Sequence, residues 1–158
     1  MSLRIRLAAG AAASLLLAGC ASGPVRRVSE PAAGIQQLTV RADGSWSVEV
    51  RINNFSSIPM RFDGIELKLA LGGQDAGTLA AQPALDIGPE SADVVSVQLK
   101  PQALARLQVA DALASGRGIG YSLAGTVRAT PEGGRQRGFE VKRESSLSPV
   151  PGIPGALR

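Results

Sequence analysis

Apolar and polar residues alternate with a period of two over most of this chain. Trp46, Val48, Val50 and Ile52 are interleaved with Ser45, Ser47, Glu49 and Arg51, and Ile65, Leu67, Leu69 and Leu71 with Glu66, Lys68 and Ala70. Successive side chains of a strand point to opposite faces, so each run predicts a strand with one buried and one wet face. Val95, Val97 and Leu99 against Ser96 and Gln98 predict another. Tyr121, Leu123 and Val127 against Ser122 and Arg128 predict a fourth, and Phe139 and Val141 begin a last one. Weaker signals over residues 36–40 and 77–81 add two more. Between the runs stand Asp43-Gly44, Asp63-Gly64, Gly72-Gly73, Gly88-Pro89 and Gly133-Gly134. These pairs suit chain reversal, because glycine accepts positive φ and proline fixes φ. One segment has a different period. After Pro101, suited to a first helical position, Leu104, Leu107, Val109, Ala112 and Leu113 recur at roughly helical spacing until Gly116 supplies a stop. Short antiparallel strands, frequent turns and one late helix predict a mainly β fold, an antiparallel β-sandwich with one short helix. Trp46, Val48, Val50, Ile52, Ile65, Leu67, Leu69, Val95, Val97, Tyr121 and Leu123 are expected to face one another between its two sheets.

The ends of the chain follow other patterns. Arg4 and Arg6 precede an apolar run from Leu7 to Leu17, too short to span a bilayer, which takes about 20 apolar residues. It closes on Leu17-Ala18-Gly19-Cys20, which matches the lipobox of bacterial lipoproteins, and Cys20 is the chain's single cysteine. The expected organisation is a signal peptide over 1–19, an acylated tether over 20–34, a sandwich domain over 35–147 and a Pro/Gly-rich tail over 148–158. Pro149, Pro151 and Pro154 among glycines predict that the tail lacks a sheet partner. Lipid on Cys20 makes the membrane the first expected partner, since each buried methylene contributes about 0.8 kcal/mol. Ala21 stands after the cysteine, where an aspartate is associated with inner-membrane retention in many proteobacteria. That family rule points to the periplasmic face of the outer membrane.

Charge and composition narrow the chemistry. The chain carries a net charge of +4, and removal of the leader takes away two arginines and no acids, leaving +2. Arg26-Arg27 and the arginines at 135 and 137 are too sparse for a nucleic-acid footprint. Histidine is absent, which removes the commonest general base and metal ligand. Gly-x-Ser-x-Gly does not occur. Asp43, Asp63, Asp75, Asp86, Glu90, Asp93 and Asp111 remain, but most adjoin Gly or Pro, where aspartate is a turn former. Gly116-Arg117-Gly118-Ile119-Gly120 has the glycines of a phosphate loop, yet it follows a helix and enters a strand, the wrong order for helix-terminal amides to meet phosphate. No catalytic residue, metal site or cofactor is expected.

The stretch from Trp46 to Leu71, with Val50-Arg51-Ile52-Asn53-Asn54, Phe55-Ser56-Ser57-Ile58-Pro59-Met60 and Ile65-Glu66-Leu67-Lys68-Leu69, resembles the late embryogenesis abundant group 2 domain, also called WHy for water stress and hypersensitive response. Ile87-Gly88-Pro89-Glu90-Ser91 and Tyr121-Ser122-Leu123-Ala124-Gly125-Thr126-Val127 extend the likeness over nearly the whole globular part. Asn54 stands where the family prefers proline and Phe55 where it prefers a second asparagine, leaving Asn53 as the secure part of that signature. The resemblance implies an immunoglobulin-like or fibronectin-like sandwich, and a role in protection under desiccation or other stress.

Asn53, Asn54, Phe55, Ile58, Pro59 and Met60 form the one local constellation of interest. Asparagines satisfy backbone groups in tight loops and Pro59 fixes the chain before the next strand, so these residues are expected to build an inter-strand corner. The competing account is a binding loop in which Phe55, Ile58 and Met60 expose an apolar lip to lipid, an envelope protein or a small ligand. Two function classes follow. One is a non-enzymatic, membrane-anchored envelope lipoprotein of the stress-protection type; the other is a periplasmic adaptor that captures a partner or lipid through its loops or a strand edge.

Overall fold

The computed structural model describes residue 23 and residues 25–158. Among them the chain forms nine strands and one helix, in the order β1 (Ala32–Val40), β2 (Trp46–Asn54), β3 (Met60–Leu71), β4 (Gln74–Ala81), β5 (Leu85–Ile87), β6 (Ser91–Leu99), α1 (Ala103–Ser115), β7 (Ile119–Pro131), β8 (Arg137–Leu147) and β9 (Ala156–Leu157). One sheet has the order β6-β2-β1-β9. The other runs β4-β3-β7-β8, with β5 paired to the start of β3. Every pairing is antiparallel. The protein is a β-sandwich.

Period two decides what lies inside. The eleven residues expected between the sheets are all buried, joined by Phe62, Leu71, Leu79, Val127 and Leu147. Tyr121 bridges the layers: its hydroxyl accepts the Ile35 N–H at 3.2 Å, satisfying a buried donor on β1 from β7. The Trp46 indole N–H finds no partner among the described residues, an uncompensated donor that costs about 1–3 kcal/mol. The Tyr-x-Leu-x-Gly stretch has a steric cause at its last position. Gly125 pairs with Leu67, and a Cβ there would collide with the Glu66 carbonyl oxygen.

Turn chemistry is realised at four of the five expected pairs. Gly72 and Gly73, at φ 57° and 77°, close a two-residue hairpin between Leu71 and Gln74, the primed turn that matches strand twist. Asp63-Gly64 is the exception. It lies inside β3, where the register with β7 shifts between Phe62 and Gly64, so this pair makes a bulge rather than a reversal.

The helix lies where its punctuation predicts, although Pro101 precedes the N-cap Gln102 instead of opening the first turn. Gly116 ends it at φ 66°, and the Arg117 N–H closes back on the Ala112 carbonyl at 3.0 Å. Its buried face takes in only part of the expected spacing. Ala105, Val109 and Ala112 point inward, whereas Leu104 and Leu107 are 61% and 64% exposed. Small residues at positions i, i+4 and i+7 let the helix lie close to the sheet edge, where the Gln102 N–H bonds to the Ala76 carbonyl of β4 at 3.2 Å.

Among the described residues, neither terminal arm is free. β1 begins at Ala32, earlier than the expected boundary at 35. The tail expected to lack a sheet partner folds back as β9, pairing Leu38 with Leu157 and Thr39 with Ala156. Its prolines sit in the preceding loop, and Ala156 and Leu157 retain the donors a ladder needs. Two ends result. One carries the loops 55–59, 88–90 and 132–136 together with residues 25–31. The other carries the β1–β2 turn, the Gly72-Gly73 hairpin, α1 and the loop 149–155; Gly72 lies against Gln108 there, and Gly44 near Arg106.

Candidate functional site

The corner after β2 is built around Asn54, which is 1% exposed. Its amide nitrogen donates to the carbonyls of Ile58 at 3.0 Å, Gly88 at 2.9 Å and Ile87 at 3.2 Å, and its carbonyl oxygen accepts the Ser56 N–H at 2.9 Å. One side chain thus ties the β2–β3 loop to β5 and the turn beyond it. Asn53 is half-buried and accepts only a long bond of 3.4 Å from Arg51. The structural asparagine of this chain is Asn54. Ile58 and Met60 are buried, so of the three apolar residues in the proposed lip only Phe55 faces solvent, at 51% exposure, beside the exposed Pro59. The alternation that continues into β3 turns Met60 and Phe62 inward.

Residues 25–29 run along this corner, an arrangement that composition did not signal. The Arg27 N–H donates to Ser57 Oγ at 2.8 Å, the Ser57 N–H returns to the Arg27 carbonyl at 3.0 Å, and the Ser29 N–H donates to Ser56 Oγ at 2.9 Å. Ser57 Oγ in turn donates to the Val25 carbonyl at 2.8 Å. Arg26 reaches the Glu132 carbonyl at 2.8 Å and its carboxylate at 3.4 Å, and Arg27 lies 3.6 Å from the Glu90 carboxylate. Both ion pairs are exposed and contribute at most about 1 kcal/mol each. Ser56 and Ser57 carry this docking, and only their position beside Asn54 could have suggested it.

The carboxylates are dispersed. Asp43 accepts the Ser45 hydroxyl and N–H, which lower its pKa, and closes the β1–β2 turn. Asp75 accepts the Gly77 N–H, and Asp111 pairs with Arg117 at 2.8 Å. Asp63 holds Gln136 and Thr130, whose hydrogen bonds, with Arg61 3.3 Å away, hold its carboxyl below its ordinary range. Among the described residues no group of three or more Cys, Asp and Glu side chains is placed to hold a metal.

A shallow groove of about 620 Å³ opens at the far end, between α1 and the C-terminal loop. Ala110, Leu113 and Ala114 form one wall, and Val150, Ile153 and Pro154 the other. The sequence did not signal it directly, because the tail was expected to lack a partner and helical spacing alone did not say which face of α1 meets the sheet. The spacing of Ala105, Val109 and Ala112 was the available signal.

Leu17, Ala18, Gly19 and Cys20 lie outside the described residues. Among those described, no helix is long and apolar enough to cross a membrane.

A family model described as late embryogenesis abundant protein matches residues 49–144, from within β2 to near the end of β8. The chain belongs to this family. The late embryogenesis abundant sandwich is also the fold of a solved putative late embryogenesis abundant protein, at 15% identity and a TM-score of 0.50, covering 96% of this chain and 88% of that one. A protein from Archaeoglobus fulgidus has 15% identity, a TM-score of 0.46, and coverage of 78% and 98%. One from Arabidopsis thaliana has 10% identity, a TM-score of 0.45, and coverage of 85% and 91%. No curated protein matches the chain.

Proposed function

We propose that this late embryogenesis abundant protein is a non-enzymatic envelope lipoprotein, held through lipid on Cys20 to the periplasmic face of the outer membrane, that protects neighbouring proteins under water loss or related stress. The family match over residues 49–144 carries the reading. The lipobox supplies the location, and the dispersal of carboxylates into separate turns supports a role exercised through surfaces. The acylated protein, dried and rehydrated with a labile envelope enzyme, is expected to preserve more of that enzyme's activity than an equal mass of an unrelated β-sandwich. Equal losses would refute protection. A Cys20→Ser chain that is still fully processed and as firmly membrane-bound as the native one would refute the anchor, and recovery of the native chain from the inner membrane alone would refute the destination.

The groove beside α1 favours a second reading, an adaptor that holds an apolar segment of another envelope protein. The strand edges support it less. β8 presents Arg137, Glu140, Lys142, Arg143 and Glu144 along its length, a charge density that discourages an added strand.

A further inference from the structure

We propose that the sandwich stands end-on against the bilayer, with Val25, Val28 and Phe55 in contact with lipid and α1 directed away from it. The proposal rests on the reading of Cys20 as a lipid anchor and adds a second contact surface to it.

Among the described residues, the large exposed apolar side chains fall into two groups. Leu104, Leu107 and Ile153 lie at the helix end; Val25, Val28 and Phe55 lie at the other, 80%, 36% and 51% exposed. The second group belongs to one patch, because residues 25–29 are hydrogen-bonded to Ser56 and Ser57 next to Phe55. Those bonds remove the slack a tether would have. Only four residues separate Cys20 from Val25, and a fully extended chain covers about 3.3–3.6 Å per residue, so Val25 stays within about 18 Å of the anchored cysteine. β2, with nine residues, is about 30 Å long. The helix end therefore cannot replace the Phe55 end at the membrane without breaking the docking of residues 25–29.

The flanks disfavour a side-lying pose. The outer face of β3, β7 and β8 carries Glu66, Lys68, Arg128, Glu140 and Lys142, and desolvating that mixture against lipid has no apolar return. At the Phe55 end, Arg26 and Arg27 flank the valines and are paired with Glu132 and Glu90, so their charges are balanced locally while their stems can cover apolar surface.

The test uses the full acylated chain in phosphatidylethanolamine and phosphatidylglycerol vesicles, carrying Phe55→Cys in one preparation and Leu104→Cys in another. Acylation of Cys20 leaves each new thiol as the only labelling site for a polarity-sensitive fluorophore. Both positions are exposed, so neither change removes core packing. The label at 55 is expected to shift to the blue and to be quenched several-fold more by nitroxide lipids than the label at 104. Equal quenching at the two positions in protein that floats with vesicles would overturn the end-on contact while leaving the anchor intact. Protein that fails to float would overturn the anchor reading, and the contact with it.

Discussion

Asn54 shows how much one buried amide can determine. With four hydrogen bonds to two separate segments, its replacement by alanine leaves buried carbonyls without donors and is expected to cost about 1–3 kcal/mol. Asn54→Asp is expected to cost more, since a carboxylate oxygen would face those carbonyls; urea midpoints that rank the two the other way would contradict this role. Asp63 makes a pH-dependent contribution. Its pKa is lowered by Gln136, Thr130 and Arg61, so its stabilisation is present above the unfolded value near 3.8 and is lost as pH falls through the lower folded value. The difference in Tm between the native chain and Asp63→Asn should accordingly be largest near neutral pH and shrink in acid. Parallel curves would show that the carboxylate is not favoured by folding. The core was legible at this scale because alternation assigns each side chain a face without knowledge of its partner. Asn54 and its neighbour Asn53 were not separable, since which of two adjacent asparagines turns inward depends on carbonyls supplied by residues 87 and 88.

Elements were legible in existence and less so in phase. The strands appeared wherever polar residues marked the wet face, whereas β5 and β9, three and two residues long, are too short to show a period. The Asp63-Gly64 pair reads as a reversal and makes a bulge, because local sequence cannot tell a bend within a strand from the end of one. Helical spacing picked out Leu104 and Leu107 together with Val109 and Ala112 without saying which of them meet the sheet, and close packing against β4 selects the smaller side chains. This has a measurable consequence: Leu104→Gln and Leu107→Gln should each shift stability by no more than about 0.5 kcal/mol. Val109→Ala, at 1% exposure, should cost about 1 kcal/mol or more. Thermal melts giving the leucines the larger effect would contradict this packing.

At the scale of the whole molecule, the terminal segments were the least legible parts. Proline and glycine content correctly reports that most of residues 148–155 cannot join a ladder, but Ala156-Leu157 pairs with β1, and that pairing depends on where β1's open edge lies in space. Deleting residues 148–158 should expose Leu38, now fully buried, and lower Tm by several degrees. An unchanged Tm would make β9 incidental. The placement of β9 also bears on synthesis and, under the proposed anchoring, on export. The first strand of the sandwich is covered by Ala156 and Leu157, so β1 lacks its second neighbour until every other described strand has been synthesised. A chain threaded N-terminus first through a translocation pore would keep Leu38 uncovered throughout passage and complete its first sheet only after Leu157 had crossed. Such non-local closure slows folding, which leaves the chain extended for the pore and open to chaperones on the far side.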